Sequence, residues 1–125
     1  MKIELDTDNP NFHKIISYSE NSFQLNDKVV HSNIVISGDR LVENWIDDDQ
    51  ILATQHLDEI IAWHPEIIIL GTGKALRFPE PKLISYVTSK NIGFEVMDTG
   101  AACRSYNLLV AEGRNVVACL YLLRD

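Results

Sequence analysis

The chain has 125 residues, 46% of them hydrophobic and 23% charged, which suits one globular domain over residues 1–125, excludes two, and leaves no need for a metal or a disulfide to fold. Eighteen acids against eleven Lys and Arg give a net charge of −7, and that balance repels a phosphate backbone and argues against a nucleic-acid partner. The charge is uneven, with twelve acids and four bases over residues 1–60 (−8) and six acids and seven bases over residues 61–125 (+1), so an anion site belongs in the second half.

The start of the chain, Met1-Lys2-Ile3-Glu4-Leu5-Asp6, has no apolar run and is acidic where a mitochondrial transit peptide is Arg-rich. No stretch reaches the roughly 18 consecutive apolar residues of a spanning helix. With only Cys103 and Cys119 as thiols, reduced cysteines in a soluble, cytoplasmic protein are the expectation.

Residues 12–46 read as a hairpin-rich β part. Ile15 to Tyr18, Ser22 to Leu25 and Lys28 to Ser37 are short or alternating β-prone runs separated by Glu20-Asn21 and Asn26-Asp27, and a further strand is expected over Leu41 to Ile46 after the Ser37-Gly38-Asp39 turn. Asp47, Asp48 and Asp49 read as a solvated turn. Residues 54–122 read as an α/β part. Behind Thr54 as N-cap, Leu57, Ile60, Ile61 and His64 share one helix face until Pro65. Ile67 to Leu70 is a continuous apolar run, as in a parallel strand covered on both faces. Pro81 opens a helix to Lys90 with Leu83, Tyr86 and Val87 on one side. Ile92 to Met97 is the next strand, Thr99 to about Glu112 a helix with Ala102, Tyr106 and Leu109 in its buried stripe and Arg104 and Asn107 facing away, and Val116 to Leu122 a last buried strand after a Gly113 cap. This strand and helix alternation implies right-handed crossovers in one sheet, with the ends after Leu70 and Met97 at the same edge.

Two turns at that edge carry the chemistry. Gly71-Thr72-Gly73-Lys74 begins like a phosphate loop, but Leu76 stands where a dinucleotide fingerprint needs its third glycine, and Pro79 and Pro81 delay the helix. Asp98-Thr99-Gly100 copies the aspartic-protease tripeptide, yet a helix with an apolar stripe follows at once, which makes Asp98 or Thr99 an N-cap. Together, Gly71, Thr72, Gly73, Lys74, Arg77, Asp98, Thr99, Gly100, Arg104 and Asn107, with the helix amides of residues 100–103, make a candidate anion crevice. Cys103 lies in the first helical turn beside Arg104, where the helix dipole favours a thiolate, but it has no base and reads better as a small buried residue. In a purely structural reading, Asp98, Arg104, Asn107 and Glu112 form a buried polar network. His13, His31, His56 and His64 lack metal-ligand spacing, and Trp45 and Trp63 read as core or interface anchors. The residues themselves assign no catalytic group, no metal and no cofactor.

The words IIILGTG at Ile67 to Gly73 and EVMDTGAACRSYNLLVAEGR at Glu95 to Arg114 resemble the signature blocks of a family of small domains of unknown biochemical activity. That family includes the mitochondrial respiratory complex I (NADH:ubiquinone oxidoreductase) assembly factor 3 and an adipogenesis-associated domain-containing protein. The likeness covers most of residues 12–122, and its signature falls on Gly71, Thr72, Gly73, Asp98, Thr99, Ala102, Arg104, Tyr106, Asn107, Glu112 and Arg114. Ser105 stands where the family block leads one to expect a threonine, and the transit peptide of the mitochondrial form is missing. The resemblance implies an α/β, three-layer single domain with a central mixed sheet, flanking helices and an N-terminal antiparallel β element. It further implies a non-enzymatic protein-binding or assembly module with a protein partner, such as a respiratory-complex subunit. The alternative is a small-anion-binding protein or enzyme using the crevice of residues 71–77 and 98–107. A homodimer through the acidic hairpin edge stays open.

Overall fold

A computed structural model describes residues 13–124; the reading of Met1 to Asp6 lies outside the described residues. Three antiparallel strands come first, β1 (Ile15–Tyr18), β2 (Phe23–Leu25) and β3 (Val29–Val30), paired in chain order as a small sheet. Then follow β4 (Ile34–Ile36), β5 (Leu41–Val42), a 3-10 turn at Thr54–His56 and a single α turn, α1 (Asp58–Ile61). The rest alternates as β6 (Ile67–Gly71), α2 (Pro81–Thr88), β7 (Gly93–Met97), α3 (Thr99–Ala111) and β8 (Val116–Leu120).

The central sheet has five strands in the order β5-β4-β8-β6-β7. It is mixed: β6 runs parallel to both β7 and β8, while β4 pairs antiparallel with β8 and β5. Strand alternation sorts its side chains into two cores. Ile34, Ile36, Ile69, Val116, Ala118 and Leu120 pack with the small sheet and with Ala102, Cys103, Tyr106 and Val110 of α3. On the other face Val35, Ile68, Leu70, Val117 and Cys119 pack with α1 and α2 through Leu57, Ile60, Leu83 and Val87. The architecture is therefore three layers around a mixed sheet, with the N-terminal β element sharing a layer with α3.

Three elements before β6 differ from expectation, each for a local reason. The run Lys28 to Ser37 is not one strand, because Val29 and Val30 pair with β2 whereas Ile34 to Ile36 pair with β8 in the other sheet. Between them sits buried Asn33, whose Nδ2 donates to Ile46 O and to Asp48 Oδ1 and whose Oδ1 accepts from Leu122 N. The strand after Asp39 stops at Val42, where Asn44 turns to φ 54°. Behind Ala53 the chain makes the 3-10 turn Thr54–His56 and then only the single α turn Asp58–Ile61, so Thr54 is not an N-cap, and His64 takes φ 56° just before Pro65.

Candidate functional site

The two turns of interest emerge side by side because β6 and β7 are parallel and in register, with Gly71 opposite Met97. Thr72 N donates to Met97 O at 2.9 Å. One residue on, Gly73 N donates to Thr99 Oγ1 at 2.7 Å, Thr99 N donates back to Gly73 O at 2.9 Å, and the Thr99 hydroxyl donates to Tyr121 O at 2.6 Å. Fully buried Thr99 thus ties together the chain leaving β6, β7 and β8. Both glycines are needed here. A Cβ on Gly71 would lie 2.8 Å from Leu120 Cδ2 and 3.0 Å from Ala102 Cβ, and Gly73 holds φ 101° against the carbonyls of Leu122 and Arg124, a conformation that side chains disfavour.

Three amides of the first turn of α3, those of Thr99, Ala101 and Ala102, bond acceptors within the protein. Asp98 is the N-cap, its Oδ1 accepting from Ala101 N at 2.9 Å, and Gly100 is buried against Tyr18. Arg104 and Asn107 bond across to β1, Arg104 through the Tyr18 hydroxyl that lies against Gly100. Arg104 Nη1 donates to Tyr18 Oη at 3.0 Å, while Asn107 accepts from Ile15 N at 3.0 Å and donates to Ile15 O at 2.8 Å. Asn107 therefore faces the small sheet. The structure brings Gly71, Thr72, Gly73, Asp98, Thr99 and Gly100 together. Lys74 and Arg77 lie on the exposed loop after Gly73. Asp98, Arg104, Asn107 and Glu112 do not form one buried network, since Arg104 and Glu112 are exposed.

Cys103 is buried, and that burial pushes its thiol up to about 12 against the smaller opposing effect of Arg104. Desolvation thus outweighs the helix end that the dipole argument relied on. Burial raises Cys119 as well. Among the described residues no three His, Cys, Asp or Glu side chains converge as a metal set, and no helix is long and apolar enough to cross a membrane.

A cavity of about 220 Å³ opens beside the same strand ends, lined by Leu70, Thr72, Tyr121 and Leu122 together with Asp48, Leu52, Arg77, Phe78 and Arg124. Of these only Thr72 and Arg77 were expected from sequence. Arg124 pairs with Asp48, whose carboxyl is held below the usual range by the Asn33 amide first and by Arg124 next, burial opposing both. Asp48 is thus an anchored member of the turn at Asp47 to Gln50 rather than a merely solvated one. Burial pushes the Tyr121 hydroxyl up to about 12. The loop that forms the cavity wall is folded on itself, Thr72 Oγ1 donating to Ala75 O at 2.7 Å and accepting from Arg77 N at 3.1 Å. The sequence signal for this site was Phe78, an apolar residue between Arg77 and Pro79 in a segment with no strand or helix pattern.

Comparison with known proteins places this geometry among relatives. Residues 15–121 match the family model described as a protein of unknown function, DUF498/DUF598. A 13 kDa major membrane protein of Francisella tularensis is 35% identical over 107 residues, covering 84% of this chain and 86% of that protein. NADH dehydrogenase (ubiquinone) 1 alpha subcomplex assembly factor 3 of Xenopus tropicalis is 33% identical over 120 residues, covering 93% of this chain; the chain spans 64% of that protein's length. A crystal structure of a Bordetella parapertussis protein superposes with a TM-score of 0.81 at 26% identity, covering 91% of this chain and 98% of that one.

Proposed function

Because this chain belongs to the DUF498/DUF598 family of proteins of unknown function, we propose that it is a non-enzymatic protein-binding module that assists assembly of a multisubunit complex, with subunits of a respiratory NADH dehydrogenase as its partners. The observation that carries this reading is the similarity to an NADH dehydrogenase assembly factor across 93% of the chain at 33% identity. The chemistry at the strand ends supports it. The polar groups of the GTG and DTG turns bond the protein's own backbone, so they act as structural ties between strands and leave recognition to the surrounding surface. We assign the protein to the cytoplasm, where its two buried thiols stay reduced.

The test is affinity purification of the intact protein from its own cells, at low and at moderate salt so that charge-driven contacts show themselves, with the co-eluting subunits identified. Native gels of cells lacking the protein complete it. Co-elution of NADH dehydrogenase subunits and accumulation of partial subcomplexes are the expected results. A normal rate of complex assembly in the deletion strain, or substrate turnover abolished by Asp98→Ala in a folded protein, sinks the reading.

A further inference from the structure

We propose that the cavity at the ends of β6 and β8 is a docking site for a partner segment that presents an acidic residue next to a bulky apolar one. Of the six large hydrophobic side chains exposed among the described residues, Phe78 at 69% lines this cavity, and Ile51 at 82% and Leu76 at 52% are chain neighbours of its lining residues. Ile51 stands between Gln50 and Leu52, and Leu76 precedes Arg77 and Phe78, all four flanking residues being cavity wall. Exposed apolar groups gathered at a concave site mark an interaction surface, whereas single scattered ones do not.

The loop is held in place while it exposes these side chains. Thr72 Oγ1 closes it from within, Lys74 N donates to Arg124 O at 3.3 Å, and Gly73 is bonded to Thr99. A partner therefore meets a formed rim and loses little entropy ordering it. The cavity itself, about 220 Å³, fits one aromatic or branched side chain, since a void of roughly 150 Å³ already admits benzene.

Charge selects the rest of the occupant. Arg124 is neutralised by Asp48, but the exposed guanidinium of Arg77 has no ion-pair partner among the described residues. The wall charges sum to +1 (Arg77 and Arg124 against Asp48) on a chain whose net charge is −7. A carboxylate on the incoming segment completes Arg77, while two copies of this acidic chain repel each other. The inference rests on the reading of the protein as a holder of protein partners and names the surface it uses.

Phage-displayed random 12-residue peptides selected on the immobilised full-length protein, followed by fluorescence anisotropy with a labelled selected peptide, test it. Selected peptides are expected to carry Asp or Glu within three residues of an aromatic or branched residue. Their affinity should fall at least tenfold in Phe78→Ser and in Arg77→Glu, and replacing the peptide's acid by Lys should restore binding to Arg77→Glu. Both side chains are exposed, so unchanged circular dichroism and melting temperature will show that the variants fold. Selection of no such peptides, or a selected peptide indifferent to both substitutions, overturns the proposal. So does sedimentation showing that Phe78→Ser splits a dimer, which would make a second copy the occupant. Subunits that still co-elute with the Arg77→Glu, Phe78→Ser double variant would sink this surface and leave the assembly role standing; loss of co-elution from the unsubstituted protein would remove the assembly role.

Discussion

Thr99 and Gly73 exchange hydrogen bonds across the ends of two parallel strands, amide to hydroxyl at 2.7 Å and amide to carbonyl at 2.9 Å. The same hydroxyl donates onward to Tyr121 O, so one side chain joins three strand ends. Thr99→Val keeps the shape and leaves a buried amide and a carbonyl unpaired, at a cost of about 2–4 kcal/mol. Thr99→Ser, which retains the hydroxyl, should lose less than half of that. Urea denaturation of both variants checks it, and equal losses would show that the methyl packing and not the hydroxyl matters.

Asn107 copies a neighbouring strand: its amide accepts from Ile15 N and donates to Ile15 O, covering the outer edge of β1, which is the end strand of the small sheet. Such edges invite pairing with other chains. Asn107→Ala is expected to destabilise by about 1–2 kcal/mol and to speed hydrogen exchange at the Ile15 amide well beyond the change at β6. Asn107→Asp keeps one acceptor but sets a carboxylate against Ile15 O, and should be no better than alanine. Unchanged exchange at Ile15 in both variants would contradict this role.

Stability should fall on the acid side partly through Asp48. Its folded pKa is depressed by the Asn33 hydrogen bond and by Arg124, so its contribution is present above the unfolded value of about 4 and is lost as pH falls through the lower folded value. The side chain is 48% exposed, which with solvent screening keeps the contribution under about 1 kcal/mol. Urea midpoints measured from pH 7 down to pH 3 should drop more steeply for the natural protein than for Asp48→Asn. Parallel curves would show that the pair is inert.

Cys103 and Cys119 are both buried with raised pKa values. A thiol reagent at pH 8 should therefore modify neither in the folded protein and both after unfolding. Rapid modification of Cys103 in native conditions would revive a nucleophilic role.

Much of the corner was legible before the structure. The apolar run at Ile67 to Leu70, the strand ending at Met97 and the helix opening at Asp98 are local patterns, and parallel pairing of β6 with β7 then obliges their following turns to meet. The N-cap was readable to within one residue, as Asp98 or Thr99, and the structure decides for Asp98, whose carboxylate accepts from Ala101 N. The cavity was not readable. It draws Asp48 and Leu52, Phe78, and Arg124 from three separate stretches of chain, and nothing local in any of them announces the others.

The chain's own pattern of apolar residues determined β1, β2, β6, β7 and β8, the two longer helices and the sheet edge at which the GTG and DTG turns lie, since periodicity and turn chemistry act over a few neighbouring residues. Only the tertiary structure decided where the run Lys28 to Ser37 breaks between two sheets, that Asn107 serves β1, that burial silences Cys103, and that Arg77 and Phe78 rim a cavity. Those outcomes depend on desolvation and on contacts between distant segments, and such quantities exist only once the layers have packed.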